Sequence, residues 1–178
     1  MKKSFSIFWV MAIIAGCNSK PAPTETAAAD VEKIDYAYVP ANHGPDNWDP
    51  GDQKNVALVL KSLKAFEMGN VDESLEVFAD SVEFAADGID RKFSKAELKA
   101  QFSDAWANMS GMKIVMDDYE TVVSKDKKNN WVSLWYKQIM TDKSGKVDSV
   151  YCMDDIKVDN GKITILDEKT RKYPAAKK

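Results

Sequence analysis

Histidine and cysteine are scarce in this sequence, with one His and two Cys among 178 residues. Since zinc and copper sites are built from several such ligands, we predict no site for either metal. The single histidine, His43, lies beside Gly44 and Pro45 in a loop-type segment and is assigned no role. The sequence also has no Ser-His-Asp set and no glycine-rich phosphate loop. We therefore expect no cofactor.

The sequence also lacks an excess of basic over acidic residues. The chain has 25 Lys and Arg residues against 28 Asp and Glu residues, a formal net charge of −3 at pH 7. Proteins that bind nucleic acids need a cationic surface to neutralise phosphates. We therefore expect no nucleic-acid partner.

Long apolar runs are limited to residues 5–15, close to the N-terminus. This run is well short of the roughly 20 residues that span a bilayer, so it does not predict a transmembrane helix. It follows Lys2 and Lys3 and precedes small residues, which is the pattern of a secretory signal peptide. Residues 14–17, with the sequence Ile-Ala-Gly-Cys, resemble the lipobox of bacterial lipoproteins.

The lipobox resemblance implies that residues 1–16 are removed as a signal peptide and that the Cys17 thiol carries a diacylglycerol. An ordinary secretory signal is the alternative. The expected location is the bacterial cell envelope, with the membrane reached through the lipid on Cys17. Asn18 favours the outer membrane, because an Asp at this position retains enteric lipoproteins in the inner membrane.

The remaining chain divides by composition into three parts. Residues 17–30 have few large apolar side chains, so we expect a flexible tether. Residues 31–51 carry aromatic side chains among turn-forming residues, which indicates an aromatic arm that packs on the following domain. Residues 52–174 have the length of a single domain.

Helical periodicity predicts three helices in this domain, over residues 52–69, 70–78 and 94–109. Asp52 and Asn70 are suited to cap the first two helices, and Ser94 with Glu97 forms a capping box for the third. Gly69 is suited to end the first helix in a left-handed conformation.

Beyond Gly111 the apolar period changes to two, which is typical of strands. The pattern predicts four long strands, over residues 113–123, 131–141, 147–158 and 162–168. A brief strand is expected at residues 82–84, before a turn at Asp87 and Gly88. The order predicts an α+β fold, with three N-terminal helices packed on a strongly curved, mainly antiparallel sheet in a cone-like α+β barrel.

Four sequence stretches carry a resemblance through their order and spacing: FEMGNVD at residues 66–72 with Leu75, VFADSVEF at residues 77–84, FSKAEL at residues 93–98 and DNGKI at residues 159–163. In these stretches the chain resembles the nuclear transport factor 2-like superfamily, which includes SnoaL-like cyclases and ketosteroid isomerases. The resemblance implies a cone of bent sheet, closed by helices, whose open end usually holds a pocket. It implies no particular reaction, because this scaffold hosts enzymes and passive binders alike.

Asp154 is the most unusual residue of the predicted sheet. Alternation places it between Cys152 and Ile156 on an otherwise apolar face. A carboxyl that is buried without a partner has a raised pKa and remains protonated as a hydrogen-bond donor. In ketosteroid isomerases an Asp at this strand position stabilises an oxyanion, so the resemblance implies such a role for Asp154.

The other two isomerase positions do not match. Ala86 occupies the position of the general base, with Asp87 one place later, and Ser62 stands where the catalytic tyrosine is expected. Asp87 before a glycine is more typical of a turn. The sequence therefore favours a domain without catalytic activity but leaves catalysis open. The candidate catalytic residues are Asp154, Asp87 and Asp118.

The leading hypothesis is an envelope lipoprotein that binds a small, mostly apolar molecule in its cone without catalysis. The residues expected to contact the molecule are Asp154, Trp106, Phe84, Ile156 and Trp135. One alternative is an isomerase-, cyclase- or hydratase-type enzyme that uses Asp154. Another is a structural subunit of an envelope complex. A cavity with two facing acids would favour the enzyme, a cavity with one acid the binder, and a filled cone the structural subunit.

The strand at residues 131–140 is apolar on both faces, with Trp131 and Trp135 on one and Leu134 and Tyr136 on the other. A half-exposed antiparallel strand normally alternates between apolar and polar residues. The outer face should therefore be covered, either by the aromatic arm or by a second copy of the domain in a homodimer through the sheet. Alternation does not decide which face lines the cone.

Overall fold

The computed structural model describes residues 34–40, 44 and 47–173. The chain divides into two units, Met1–Ala37 and Tyr38–Lys178. In the first unit, residues 34–37 form neither helix nor strand, and every element given below belongs to the second. No helix in the described part of the chain is long and apolar enough to cross a membrane. The predicted signal peptide, Cys17, the tether and His43 lie outside the described residues.

The described residues form three helices in the predicted order: α1 (Gln53–Glu67), α2 (Val71–Leu75) and α3 (Lys95–Ala107). The side chain of Asp52 accepts a hydrogen bond from the backbone N–H of Lys54 at 2.9 Å, which confirms this cap. The capping box of Ser94 and Glu97 is also present. Gly69 follows α1 with a φ of 80°, a conformation that strongly favours glycine.

The described residues form one sheet of seven strands: β1 (Trp48–Pro50), β2 (Phe78–Ala86), β3 (Ile89–Ser94), β4 (Met109–Ser124), β5 (Asn130–Asp142), β6 (Val147–Asp159) and β7 (Lys162–Lys172). Their order across the sheet is β1-β4-β5-β6-β7-β2-β3. Neighbouring strands are antiparallel except β2 and β7, which are parallel. The α+β class with a mainly antiparallel sheet is confirmed.

The predicted ends of α2 and α3 are wrong. Phe78 begins β2, where it pairs with Ile163 of β7, and Met109 begins β4, where it pairs with Asp142 of β5. In both places the helical spacing of apolar residues continues into the next strand. Pairing with a distant strand therefore overrides the local periodicity.

The prediction of one brief strand at residues 82–84 is incomplete. β2 and β3 form a hairpin around Asp87 and Gly88, and Gly88 adopts a φ of 78° in the turn. Only Phe93 of β3 is buried. The polar composition of β3 is the reason that the apolar pattern does not reveal it.

The core lies against one face of the sheet. On β5 the buried side chains are Val132, Leu134 and Tyr136, so the even-numbered side chains of this strand face the interior. Trp131 and Trp135 lie on the opposite, outer face and are partly exposed. The structure thus decides which face of this strand lines the cone.

β1 joins the edge of the sheet, with Trp48 opposite Ser124 of β4. The backbone N–H of Gly51 donates to the carbonyl of Thr121 at 2.9 Å just after this pairing. Earlier in the same unit, the side chain of Tyr38 is exposed.

A bulge in β7 changes which of its side chains face the interior. Val158 of β6 pairs with Ile163, whereas Lys157 pairs with Ile165, so Thr164 is an additional residue in β7. Because side chains alternate along a strand, one additional residue moves the following ones to the other face. The bulge therefore places Glu168 on the inner face, beside Asp154.

Candidate functional site

A cavity of about 440 Å³ lies in the cone, between the helices and the inner face of the sheet. This volume falls within the roughly 300–1,000 Å³ of typical small-molecule sites. Its walls are mostly apolar and come from helices α1, α2 and α3 and from the six strands β2 to β7. The lining includes Val59, Leu63, Met112, Leu134, Met140, Ile156, Ile163 and Leu166.

Aromatic rings form one wall of the cavity, with Phe102 of α3 at their centre. The ring centroid of Phe102 is 4.9 Å from that of Phe66, and 6.1 Å from those of Phe78 and Phe84. Such edge and tilted contacts are favourable ring geometries. These four phenylalanines give the cavity an apolar surface of packed rings.

Asp154 of β6 lines this cavity and is only 3% exposed. Its Oδ2 accepts a hydrogen bond from the hydroxyl of Tyr136 at 2.9 Å. Its Oδ1 is buried and has no hydrogen-bond partner among the described residues. Burial and the neighbouring Glu168 raise the pKa of Asp154 to about 8. The carboxyl is therefore mainly protonated at neutral pH.

Tyr136 keeps its proton under the same conditions. Burial raises the pKa of the Tyr136 hydroxyl well above its usual value, and the charge that Asp154 acquires when it ionises raises this pKa further. The tyrosine therefore acts as the donor in this pair. Asp154 Oδ1 is left to contact whatever enters the cavity.

Glu168 of β7 is the second acid of the cavity, and the sequence patterns did not predict it. It lies directly opposite Asp154 in the β6–β7 pairing and lines the same cavity. Opposed residues in antiparallel strands have Cβ atoms roughly 4.5–5.5 Å apart. Burial and the charge of Asp87 raise the pKa of Glu168. Two carboxyls therefore share one region of an apolar cavity.

Asp87 and Asp118 do not line the cavity with Asp154. Asp87 is exposed in the β2–β3 turn and accepts a hydrogen bond from the hydroxyl of Thr170 at 3.0 Å. Asp118 is exposed on β4, and its carboxylate accepts from the backbone N–H of Tyr119 at 2.8 Å. Neither is placed to take a proton from a molecule in the cavity.

The structure separates the four predicted apolar contacts into two groups. Phe84 and Ile156 line the cavity, whereas Trp106 and Trp135 do not. The indole N–H of Trp106 donates to the carbonyl of Phe66 at 2.8 Å, and its ring packs beside Gly69 at the end of α1. Trp135 points to the outer face of β5, because the inner positions are even-numbered.

Four further polar residues line the cavity: Ser62, Ser74, Gln101 and Gln138. The hydroxyl of Ser62 donates to the backbone carbonyl of Ser74 at 2.7 Å, which ties α1 to α2. Helical and strand spacing place these residues on elements but do not indicate that they share a cavity.

No protein-family model and no curated protein matches the sequence. Solved structures do match the fold. A nuclear transport factor 2-like protein of unknown function from Burkholderia pseudomallei is 14% identical with a TM-score of 0.55, over 66% of this chain and 90% of that chain.

Two more solved structures illustrate the range of this fold. AusH from Aspergillus nidulans is 13% identical with a TM-score of 0.56, over 69% of this chain and 87% of that chain. An LEH-like epoxide hydrolase of M. tuberculosis is 12% identical with a TM-score of 0.55, over 67% of this chain and 84% of that chain. At these identities the likeness concerns the fold alone. The chain therefore shares the fold of these solved structures, one of which is a nuclear transport factor 2-like protein.

Proposed function

We propose that this domain binds a small, mostly apolar molecule in the cavity, with Asp154 as its polar anchor. The observation that carries the proposal is the unpaired Asp154 Oδ1 in a mostly apolar cavity of about 440 Å³. Leaving a buried polar atom without a partner costs about 1–3 kcal/mol, which a bound polar group would offset. The surrounding rings and aliphatic side chains suit the apolar body of such a molecule.

The open interior favours this function over that of a structural subunit. A domain whose only role is assembly gains stability from a packed cone, because each unfilled volume forfeits contacts between side chains. A volume of about 440 Å³ is far larger than the small voids of an ordinary core.

A second candidate function is catalysis by proton transfer, and the pairing of Asp154 with Glu168 supplies the two facing acids expected of an enzyme. Binding leads the proposal because both functions require it, whereas two acids by themselves do not define a reaction. Two carboxyls with different environments can divide the roles of acid and base. Asp154, mainly protonated, would donate a hydrogen bond to a substrate oxygen, and Glu168 would take a proton from a neighbouring carbon. In an isomerisation Glu168 would return this proton to another carbon of the substrate. In a hydratase-type reaction that runs in the direction of water loss, the substrate hydroxyl would leave as water with the proton of Asp154.

Native mass spectrometry of the chain, purified without denaturation, tests binding and catalysis together. We expect a bound small molecule that is lost when the protein is denatured, and a preparation with no bound molecule would contradict the proposal unless added apolar compounds bind. The recovered molecule is then incubated with the chain in deuterated water. Deuterium at a carbon atom, absent with Glu168→Gln, would establish proton transfer, and no incorporation would favour simple binding.

We further propose that a lipid on Cys17 holds the domain at the bacterial cell envelope, and at the outer membrane in particular. The support is the Ile-Ala-Gly-Cys sequence after a short apolar run. The mature chain is expected to begin at Cys17, to carry the mass of a diacylglycerol and to partition into detergent. Cys17→Ser should abolish both the added mass and the partitioning, whereas the matched change Cys152→Ser should alter neither. A chain with an unmodified Cys17 would contradict this proposal.

A further inference from the structure

The cavity is unbalanced in charge. Its described lining includes two acids, Asp154 and Glu168, but no Lys, Arg or His. Buried acids are normally paired with a cation or with several hydrogen-bond donors, because an unpaired buried charge is costly. Here the described donor to Asp154 is the hydroxyl of Tyr136.

The basic residue whose charge acts on Asp154 lies on the other side of the sheet. Lys169 of β7 follows Glu168, so its side chain points to the outer face. There its Nζ contacts Asp155 at 3.0 Å and Asp167 at 2.7 Å. Lys169 therefore neutralises the outer acids, and no basic residue in the described part of the chain lines the cavity beside the inner pair.

We infer that the molecule held in the cavity is an apolar amine, whose ammonium group binds between Asp154 and Glu168. This inference rests on the proposed binding function and adds the chemical class of the ligand. An ammonium offers three donors and no acceptor. One donor reaches the unpaired Asp154 Oδ1 and another the carboxylate of Glu168. Hydrogen bonds between ionised groups are about twice as strong as neutral ones.

The phenylalanine wall suits the same ligand. Phe66, Phe84 and Phe102 present an apolar surface along the cavity. The hydrocarbon body of an amine can pack on these rings, and a nearby cation is attracted to a ring face. An anion of the same shape would meet two acids and no compensating cation.

When the amine binds, its ammonium group replaces the proton of Asp154. Before binding, Asp154 is mainly protonated at neutral pH and faces Tyr136 from β5 and Glu168 from β7. Cys152 and Asp155 are near it on β6, and Lys169 lies on the other side of the sheet. The arriving ammonium stabilises the carboxylate form, so the proton of Asp154 leaves to solvent. Amine binding is therefore accompanied by proton release.

Three compounds with the same apolar cage separate the charge from the shape: adamantylmethylamine, adamantylmethanol and adamantanecarboxylic acid. Isothermal titration calorimetry with the purified chain should give an affinity for the amine roughly tenfold or more above that for the alcohol, with the acid weakest. Titrations in buffers of different ionisation enthalpy should show proton release with the amine only. Methyl NMR signals of Ile156 and Ile163 should shift, which places the compound in the cavity.

Matched variants test whether the charge of Glu168, on the inner face, is the one that binds the amine. Glu168→Gln should weaken amine binding roughly tenfold and leave alcohol binding nearly unchanged, whereas Asp167→Asn, the same change on the outer face, should affect neither. If the alcohol binds as tightly as the amine, the amine inference is overturned while binding of apolar molecules stands. If none of the three compounds binds, the inference and the proposed binding function both fail.

Discussion

We expect the wild-type domain to lose stability between about pH 4 and pH 8, and Asp154→Asn to remove most of this loss. In the unfolded chain an Asp ionises near pH 3.9. In the folded domain burial and Glu168 raise the pKa of Asp154 to about 8. Over this interval the folded state keeps a proton that the unfolded state has lost, so the free energy of unfolding falls as pH rises. Above about pH 8 this contribution levels off.

The expected size follows from the shift in pKa. One pKa unit corresponds to about 1.4 kcal/mol, so the wild-type domain should lose up to about 5 kcal/mol of stability across the interval. Asn keeps an oxygen that accepts from the Tyr136 hydroxyl, and its amide replaces the protonated Oδ1. It cannot ionise. The variant and the wild-type domain should therefore be similarly stable near pH 4, and the variant more stable near pH 8.

Denaturant unfolding at a series of pH values measures this difference. Asp155→Asn is the matched control, because Asp155 is next along β6 but lies on the outer face beside Lys169. That change should leave the fall in stability between pH 4 and pH 8 in place. Parallel pH curves for Asp154→Asn and the wild-type domain would mean that Asp154 is already ionised in the folded state, and Asp154 would then not be a neutral donor.

The overall fold could be predicted from the sequence because its local signals agree with each other. The caps at Asp52 and Ser94, the left-handed Gly69 and the change of period beyond Gly111 are all present in the structure. The turn at Asn160 and Gly161, both with positive φ, also follows the prediction of a hairpin between β6 and β7. Local consistency of this kind is what a well-specified fold requires.

The candidate site could be predicted only in part, and the bulge in β7 explains the gap. Simple alternation from the buried Ile163 predicts that Ile165 and Asp167 face inward. The additional Thr164 reverses this order, so Leu166 and Glu168 face the cavity. Asp154 was accessible to sequence reasoning because β6 alternates regularly from Cys152 to Val158. A bulge depends on the pairing of two strands, which the sequence of one strand does not show.

Trp106 and Trp135 were predicted to contact the ligand but do not line the cavity, because sequence patterns did not give the direction of their side chains. Trp106 lies on the expected helix, but its indole turns to the end of α1, where the carbonyl of Phe66 accepts its N–H. Trp135 lies on a strand with two apolar faces, so hydrophobicity alone could not assign it to the inner or the outer side. In both cases the fold was predicted correctly and the direction of the side chain was not.

A double-mutant cycle on Tyr136 and Asp154 should show strong coupling. It is measured at about pH 5, where the carboxyl is neutral in the folded domain. Asp154→Leu leaves the buried Tyr136 hydroxyl without its acceptor, and Tyr136→Phe leaves Asp154 Oδ2 without its donor. Each single change should cost about 1–3 kcal/mol of unfolding free energy. The double variant should lie within about 1 kcal/mol of the wild-type domain, because replacing both partners by apolar groups leaves no unpaired polar atom.

The neighbouring pair on the outer face provides the control for this cycle. The hydroxyl of Ser133 on β5 donates to Asp155 on β6 at 2.7 Å, but water can reach this bond. Ser133→Ala and Asp155→Ala should therefore show coupling well below 1 kcal/mol, since solvent satisfies whichever group remains. Additive costs for Tyr136 and Asp154 would mean that water already enters the cavity and bonds to both groups. The unpaired Oδ1 would then be hydrated, and the main argument for a polar ligand at Asp154 would be lost.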